Sequence, residues 1–241
     1  LTSSMEIYGI TPFPEDVAGS FGNAFYFVIL VGFGASMIYL LLKLRSRRLI
    51  AWISGFVLTV AVFMLSMIYL FAVFSRYAIP NVEALTVVLS LFLTALADLA
   101  IFRIRSKACD MVVLCLGGAL GTFLGVSIPT LSAILILIFL AIYDVFAVYR
   151  GPVGKIARSG LDQLRGLSFS FKDIQMGLGD LTFYSMLSGH MLIYFGLLSC
   201  LASIVGILFG CLLAFRMLNK KGMFPGLPFP IFLGLSAGLL V

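Results

Sequence analysis

The apolar positions of this chain fall into long uncharged runs separated by short polar segments. A bilayer's hydrocarbon layer needs about 20 apolar residues per spanning helix, so these runs are the natural unit for reading the chain. There are eight: Phe21–Leu42, Leu49–Phe74, Ala84–Phe102, Met111–Ser127, Thr130–Tyr149, Ile174–Ser188, Met191–Phe215 and Phe224–Val241. Barrel strands would carry a polar residue at every second position, which these runs do not, so helices are predicted. Glycines interrupt several runs, as membrane helices tolerate and use for close packing. The chain then divides into a polar loop at 1–20, membrane helices over 21–149, a connecting loop at 150–173 and further membrane helices over 174–241. An all-α polytopic membrane protein is expected.

Composition agrees. Hydrophobic residues make up 62% of the 241 positions and charged ones 11%, against roughly 45–50% and about 25% for a soluble domain. No soluble core buries that much. Cys109, Cys115, Cys200 and Cys211 show no paired short spacing and read as small buried hydrophobes. His190, the single histidine, falls between two expected spans with no second His or Cys nearby, so no metal site is expected.

A net charge of +6 raises nucleic acid as a partner, but the placement of the charge argues otherwise. If the eight runs alternate across the bilayer, 15 of the 16 Lys and Arg residues lie on one side and only Arg76 on the other. The positive-inside rule makes that side cytoplasmic. Residues 1–20, which hold no Lys or Arg, are then extracytoplasmic. The lipid bilayer is the expected partner, and nucleic acid is not.

An ionised carboxylate within lipid costs a few kcal/mol or more, so intramembrane acids are functional candidates. Asp98, Asp144 and Asp180 qualify. At roughly 1.5 Å of rise per residue, Asp144 lies about 9 Å inward from Arg150 and Asp180 about 12 Å inward from Lys172. Two carboxylates at matching depth on separate helices can share one proton, because like charges a few ångströms apart do not both ionise. Such a pair hydrolyses a peptide bond without metal, cofactor or covalent intermediate, one member activating water while the other protonates the scissile carbonyl. Asp98, about five residues from Arg103, is expected to snorkel toward or pair with Arg103 and Arg105.

The neighbouring residues extend this pattern. Tyr143-Asp144, then Gly177-Leu178-Gly179-Asp180, then Pro225-Gly226-Leu227-Pro228 each sit at a membrane segment. Gly177 and Gly179 strip side chains from beside Asp180, which permits close approach by backbone, water or substrate, although small residues also serve helix packing. Pro225 and Pro228 hinder regular helix and leave backbone groups free near the depth of the aspartates.

In order and placement these motifs resemble the GxGD intramembrane aspartyl proteases, the presenilins and signal peptide peptidases. The family's third motif reads Pro-Ala-Leu, so Gly226 departs from it while keeping a small residue. Tyr8–Asp16 looks like the presenilin loop between the first and second spans, Tyr143–Pro152 is also presenilin-like, and the compact loops look most like an archaeal presenilin homologue. The resemblance implies a presenilin-like fold of nine spans, of which eight are visible here, with the first expected to precede this sequence. It implies Asp144 and Asp180 as the catalytic pair, and Tyr143, Gly177, Leu178, Gly179, Pro225, Gly226, Leu227 and Pro228 as the surrounding motif and substrate-binding residues. No cofactor is implied. The implied partners are transmembrane-helix substrates, and a homo-oligomer is left open. In the family the region Gly151–Asp173 can contribute strand-like structure that pairs with extended substrate. Two rivals stand beside this reading: a prepilin or preflagellin peptidase, which also carries Gly-x-Gly-Asp, and a proton-coupled transporter or ion leak using the same carboxylates.

Overall fold

The computed structural model describes residues 11–43, 47–77, 81–103, 107–149, 168–171, 174–221 and 224–241. Eight helices and one hairpin occupy them: α1 Val17–Lys43, α2 Arg47–Phe74, α3 Val82–Phe102, α4 Lys107–Ser127, α5 Thr130–Tyr149, β1 Ser168–Phe171, β2 Ile174–Gly177, α6 Leu178–Tyr194, α7 Leu197–Lys221 and α8 Pro228–Leu239. The fold is all-α and polytopic. The outward faces of α1, α2, α3 and α7 carry exposed large apolar side chains, Phe33, Phe56, Leu91 and Leu208 among them, as lipid rather than water demands.

Six helices are long and apolar enough to cross a membrane unaided: α1 to α5 and α7. The other two are shorter, α6 at 17 residues and α8 at 12, rising about 26 Å and about 18 Å against a hydrocarbon layer of about 30 Å. Each follows directly on a non-helical segment, β2 before α6 and Phe224–Leu227 before α8.

Small residues hold these short helices in place. Gly117, Gly121 and Gly125 recur every four residues along α4, and each faces α6. A β-carbon at Gly121 would overlap the Thr182 carbonyl, and one at Gly125 the Met186 carbonyl. Gly206 and Gly210 of α7 meet the backbone of α8 in the same way, at Leu233 and Pro230. With no apolar effect to drive helices together in lipid, contact this close supplies the association through van der Waals packing. The buried core lies where α5, α6 and α8 meet, around Ile136, Leu140, Leu187 and Ile231. A polar tie adds α1: Asn23 donates from Nδ2 to Ser132 Oγ of α5 at 3.1 Å and accepts the Phe13 amide at 3.0 Å.

Several sequence expectations shift. The run Ile174–Ser188 opens as strand β2, and helix begins only at Leu178. The break expected near 189–190 lies at Phe195-Gly196, where Gly196 takes φ +98. Hydropathy does not mark this turn, because the residues around it are as apolar as the helices. His190 therefore lies inside α6, buried, with its Nδ1 2.7 Å from the Gly125 carbonyl. Among the described residues no three His, Cys, Asp or Glu side chains gather as a metal site would need. Cys200 is buried, but Cys115 is exposed on α4 and Cys109 and Cys211 are half-buried.

The α4–α6 contact yields a stability prediction. Gly125→Leu is expected to destabilise by about 1–3 kcal/mol or more through overpacking, whereas Gly34→Ala, where a β-carbon meets nothing within 4 Å, is expected to be neutral or slightly stabilising. Thermal unfolding of both purified variants in one detergent checks the contrast.

Candidate active site

Three segments converge at the ends of α5, α6 and α8. Asp144 stands near the C-terminal end of α5, and Asp180 is the third residue of α6. Gly177 ends β2 in extended conformation, at φ −71 and ψ 147, and Leu178 is already helical. No residue therefore separates strand from helix, and Asp180 is held close to the hairpin. The expected distance of Asp180 from Lys172 assumed helical rise, but the intervening Ile174–Gly177 is strand.

The Pro-Gly-Leu-Pro segment closes the site from α8. Pro228 is the first residue of that helix, with Leu227 as its N-cap. The first amides of a helix have no partner within it, and here the Leu227 N–H donates to Asp144 Oδ2 at 3.0 Å. One residue earlier, Gly226 lies against Asp180: a β-carbon on Gly226 would stand 2.8 Å from Asp180 Oδ2. Consecutive residues of one segment thus meet carboxylates from two different helices. Pro225 and Leu227 are buried.

The motif glycines have a different setting from those of α4. A β-carbon at Gly177 would come no nearer than 4.0 Å to Gly179 N, and one at Gly179 no nearer than 4.0 Å to Phe183. Among the described residues nothing packs closely on either glycine, and the space beside Asp180 stays open there. Leu178 packs against Gly117 of α4. Tyr143 turns toward α1, where a β-carbon on Gly32 would stand 3.3 Å from its hydroxyl.

A cavity of about 100 Å³ adjoins Asp180, lined by Met176, Tyr184, Cys211, Ala214, Phe224 and Gly226 among others. That is room for a few waters. On the other side, an apolar groove of about 550 Å³ runs between α5 and α8, bordered by Ile142, Val145, Phe146, Pro228 and Phe232. Sequence reasoning missed Tyr184 and Cys211. The signal for Tyr184 was its spacing, four residues after Asp180 and so on the same helix face; Cys211 gave none, since only the packing of α7 brings it here.

Asp98 is not brought to this site. Its two carboxylate oxygens lie 2.9 and 3.0 Å from the Thr59 hydroxyl of α2, which donates its one proton to the pair. Among the described residues the carboxylate meets Thr59 rather than Arg103, brought there by the packing of α2 along α3. Arg105 lies outside the described residues.

A helical membrane fold with two carboxylates beside one proline-broken segment is the arrangement that an intramembrane aspartyl protease would need. Residues 1–162 match the family model described as signal-peptide peptidase, presenilin aspartyl protease. The chain belongs to that family and is accordingly an aspartic endopeptidase. It resembles a presenilin family intramembrane aspartate protease solved in space group C222, at 21% identity and TM-score 0.63, over 91% of this chain and 84% of that one. The structure in space group P2 matches at 23% identity and TM-score 0.62, over 96% and 85%. At these identities the likeness speaks for the fold. No curated relative matches. Family membership does not favour the prepilin-peptidase or transporter readings.

The geometry at Gly226 predicts a graded response. The atom a β-carbon would meet is the end of a side chain that can turn aside, so Gly226→Ala is expected to keep cleavage within about tenfold of wild type, a cost of about 1.4 kcal/mol. Gly226→Val, whose branched side chain cannot be accommodated by that turn, is expected to abolish it. Cleavage of a tagged single-span substrate by the two purified variants checks the order.

Proposed function

We propose that the chain hydrolyses peptide bonds in transmembrane segments of membrane proteins with a water molecule activated between Asp144 and Asp180. The observation that carries this is the contact of Gly226 and Leu227 with the two carboxylates, on consecutive residues and from separate helices. In the first step the ionised carboxylate takes a proton from water as the oxygen attacks the scissile carbonyl carbon, and the protonated carboxyl donates to the carbonyl oxygen. The resulting gem-diol collapses as the C–N bond breaks and a proton passes to the leaving amine. No covalent enzyme intermediate forms.

The open space at Gly177 and Gly179 admits the substrate backbone beside Asp180. A substrate helix hides its backbone in its own hydrogen bonds, so cleavage requires an extended stretch. Such a stretch can add as a strand to the β1–β2 hairpin, whose antiparallel register runs from Ser168 opposite Gly177 to Phe171 opposite Ile174. The hairpin leads directly into Asp180, so a strand paired on it delivers its bond near the dyad.

The charge distribution supports a cytoplasmic location for the basic loops and the hairpin. A protease-sensitive tag inserted after Gly160 is expected to be cut in inside-out vesicles and protected in right-side-out ones.

Asp144→Ala and Asp180→Ala are each expected to lower the cleavage rate by at least about a hundredfold, while Asp98→Ala, removed from the site and bonded to Thr59, is expected to retain activity. Wild-type activity is expected to trace a bell against pH, each limb belonging to the pair rather than to one residue. Cleavage of a tagged single-span substrate in detergent and in liposomes tests all of this; full activity in either of the first two variants would sink the assignment.

A further inference from the structure

The carbonyl of Gly226 and the N–H of Leu227 belong to one planar peptide group. On the carbonyl side, the Tyr184 hydroxyl donates at 2.9 Å. On the amide side, the N–H donates to Asp144 Oδ2 at 3.0 Å. A single rigid plane thus connects α6, which carries Asp180, with the aspartate of α5.

The sequence explains why this carbonyl is available. Leu227 accepts the Ile231 amide at 3.0 Å, as the first helical bond of α8. The corresponding donor for Gly226, four residues on, would be residue 230. That residue is proline, which has no N–H. A carbonyl left without a donor in a buried setting costs about 1–3 kcal/mol, and the Tyr184 hydroxyl fills the gap. Tyr184 is itself buried, borders the cavity beside Asp180 and contacts Cys211 of α7.

We propose that Tyr184 is a positioning residue of the catalytic dyad, acting through the Gly226–Leu227 peptide to orient Asp144 relative to Asp180. The proposal rests on the assignment of those two aspartates made above. Glycine is the loosest hinge in a chain, so the plane following Gly226 turns freely unless something holds its oxygen. Tyr184 holds it, and the direction of the Leu227 N–H is fixed with it. A donor on the carbonyl also polarises the amide and strengthens its N–H as a donor, as in other hydrogen-bond chains. Phenylalanine at this position fills nearly the same space but does neither.

The test compares wild type, Tyr184→Phe and Tyr184→Leu in liposomes, measuring kcat and KM on a tagged single-span substrate and affinity for a peptide carrying a hydroxyethylene isostere, which mimics the tetrahedral intermediate. Tyr184→Phe is expected to lower kcat about tenfold with KM within about twofold, and to weaken isostere binding by a similar factor, the signature of an interaction expressed in the transition state. Its kcat is expected to lie nearer that of Tyr184→Leu than that of wild type. Tyr194→Phe, on the same helix with its hydroxyl on the Val126 carbonyl at 3.3 Å, is the unaffected control. Wild-type kcat in Tyr184→Phe with impairment confined to Tyr184→Leu would show a packing role and overturn the proposal, as would a rise in KM alone. Asp144→Ala and Asp180→Ala run alongside: activity in either removes the dyad and this inference together, whereas their silence beside a wild-type Tyr184→Phe removes this inference only.

Discussion

The hydrogen bond from the Leu227 amide to Asp144 meets two demands of an apolar environment at once. A helix that begins inside a bilayer exposes amides with no partner, and a carboxylate there lacks the water that would solvate it. Each is costly alone, and each satisfies the other here. The positive end of the α8 dipole also faces Asp144, and Asp180 sits in the first turn of α6, where the dipole again favours negative charge. Each carboxylate thereby meets a helix start, Asp144 that of α8 and Asp180 that of its own helix, although Asp144 itself stands near the end of α5.

Non-helical backbone at membrane depth persists only where it is buried in protein or lines a cavity. Among the described residues the end of β2 before α6 and Phe224–Leu227 before α8 are two such segments, and they meet at the same place. The glycine rows of α4 and α7 make this arrangement tolerable. They bring neighbouring backbones near enough to hold a 17-residue and a 12-residue helix that are too short to cross alone. The two uses of glycine separate cleanly: in α4 and α7 the space of the missing side chain is filled by a neighbouring helix, whereas at Gly177 and Gly179 no described residue fills it.

Much of the fold was legible as hydropathy. The five spans from α1 to α5 were read to within a few residues, Thr130–Tyr149 at both ends, because charged or polar loops, and Pro129 between α4 and α5, bracket them. The α6–α7 boundary was misplaced, since Phe195-Gly196 is apolar and only its left-handed turn separates the helices. The start of α6 was also misread, because Ile174–Gly177 is as apolar as helix and becomes strand by pairing with Ser168–Phe171. The hydroxyl that Thr59 offers Asp98 was not legible, since a contact between α2 and α3 carries no mark in either segment.

By itself the sequence determined the membrane class, the family and the three motifs around Asp144, Asp180 and Leu227, because composition, order along the chain and residue type are local properties. The tertiary structure alone decided which backbone group meets which carboxylate, that Thr59 faces Asp98, and that Tyr184 reaches the carbonyl Pro230 leaves without a donor. Those contacts join residues 39 to 83 positions apart. They depend on how closely neighbouring helices approach and at what depth each begins, and neither is written in any single segment.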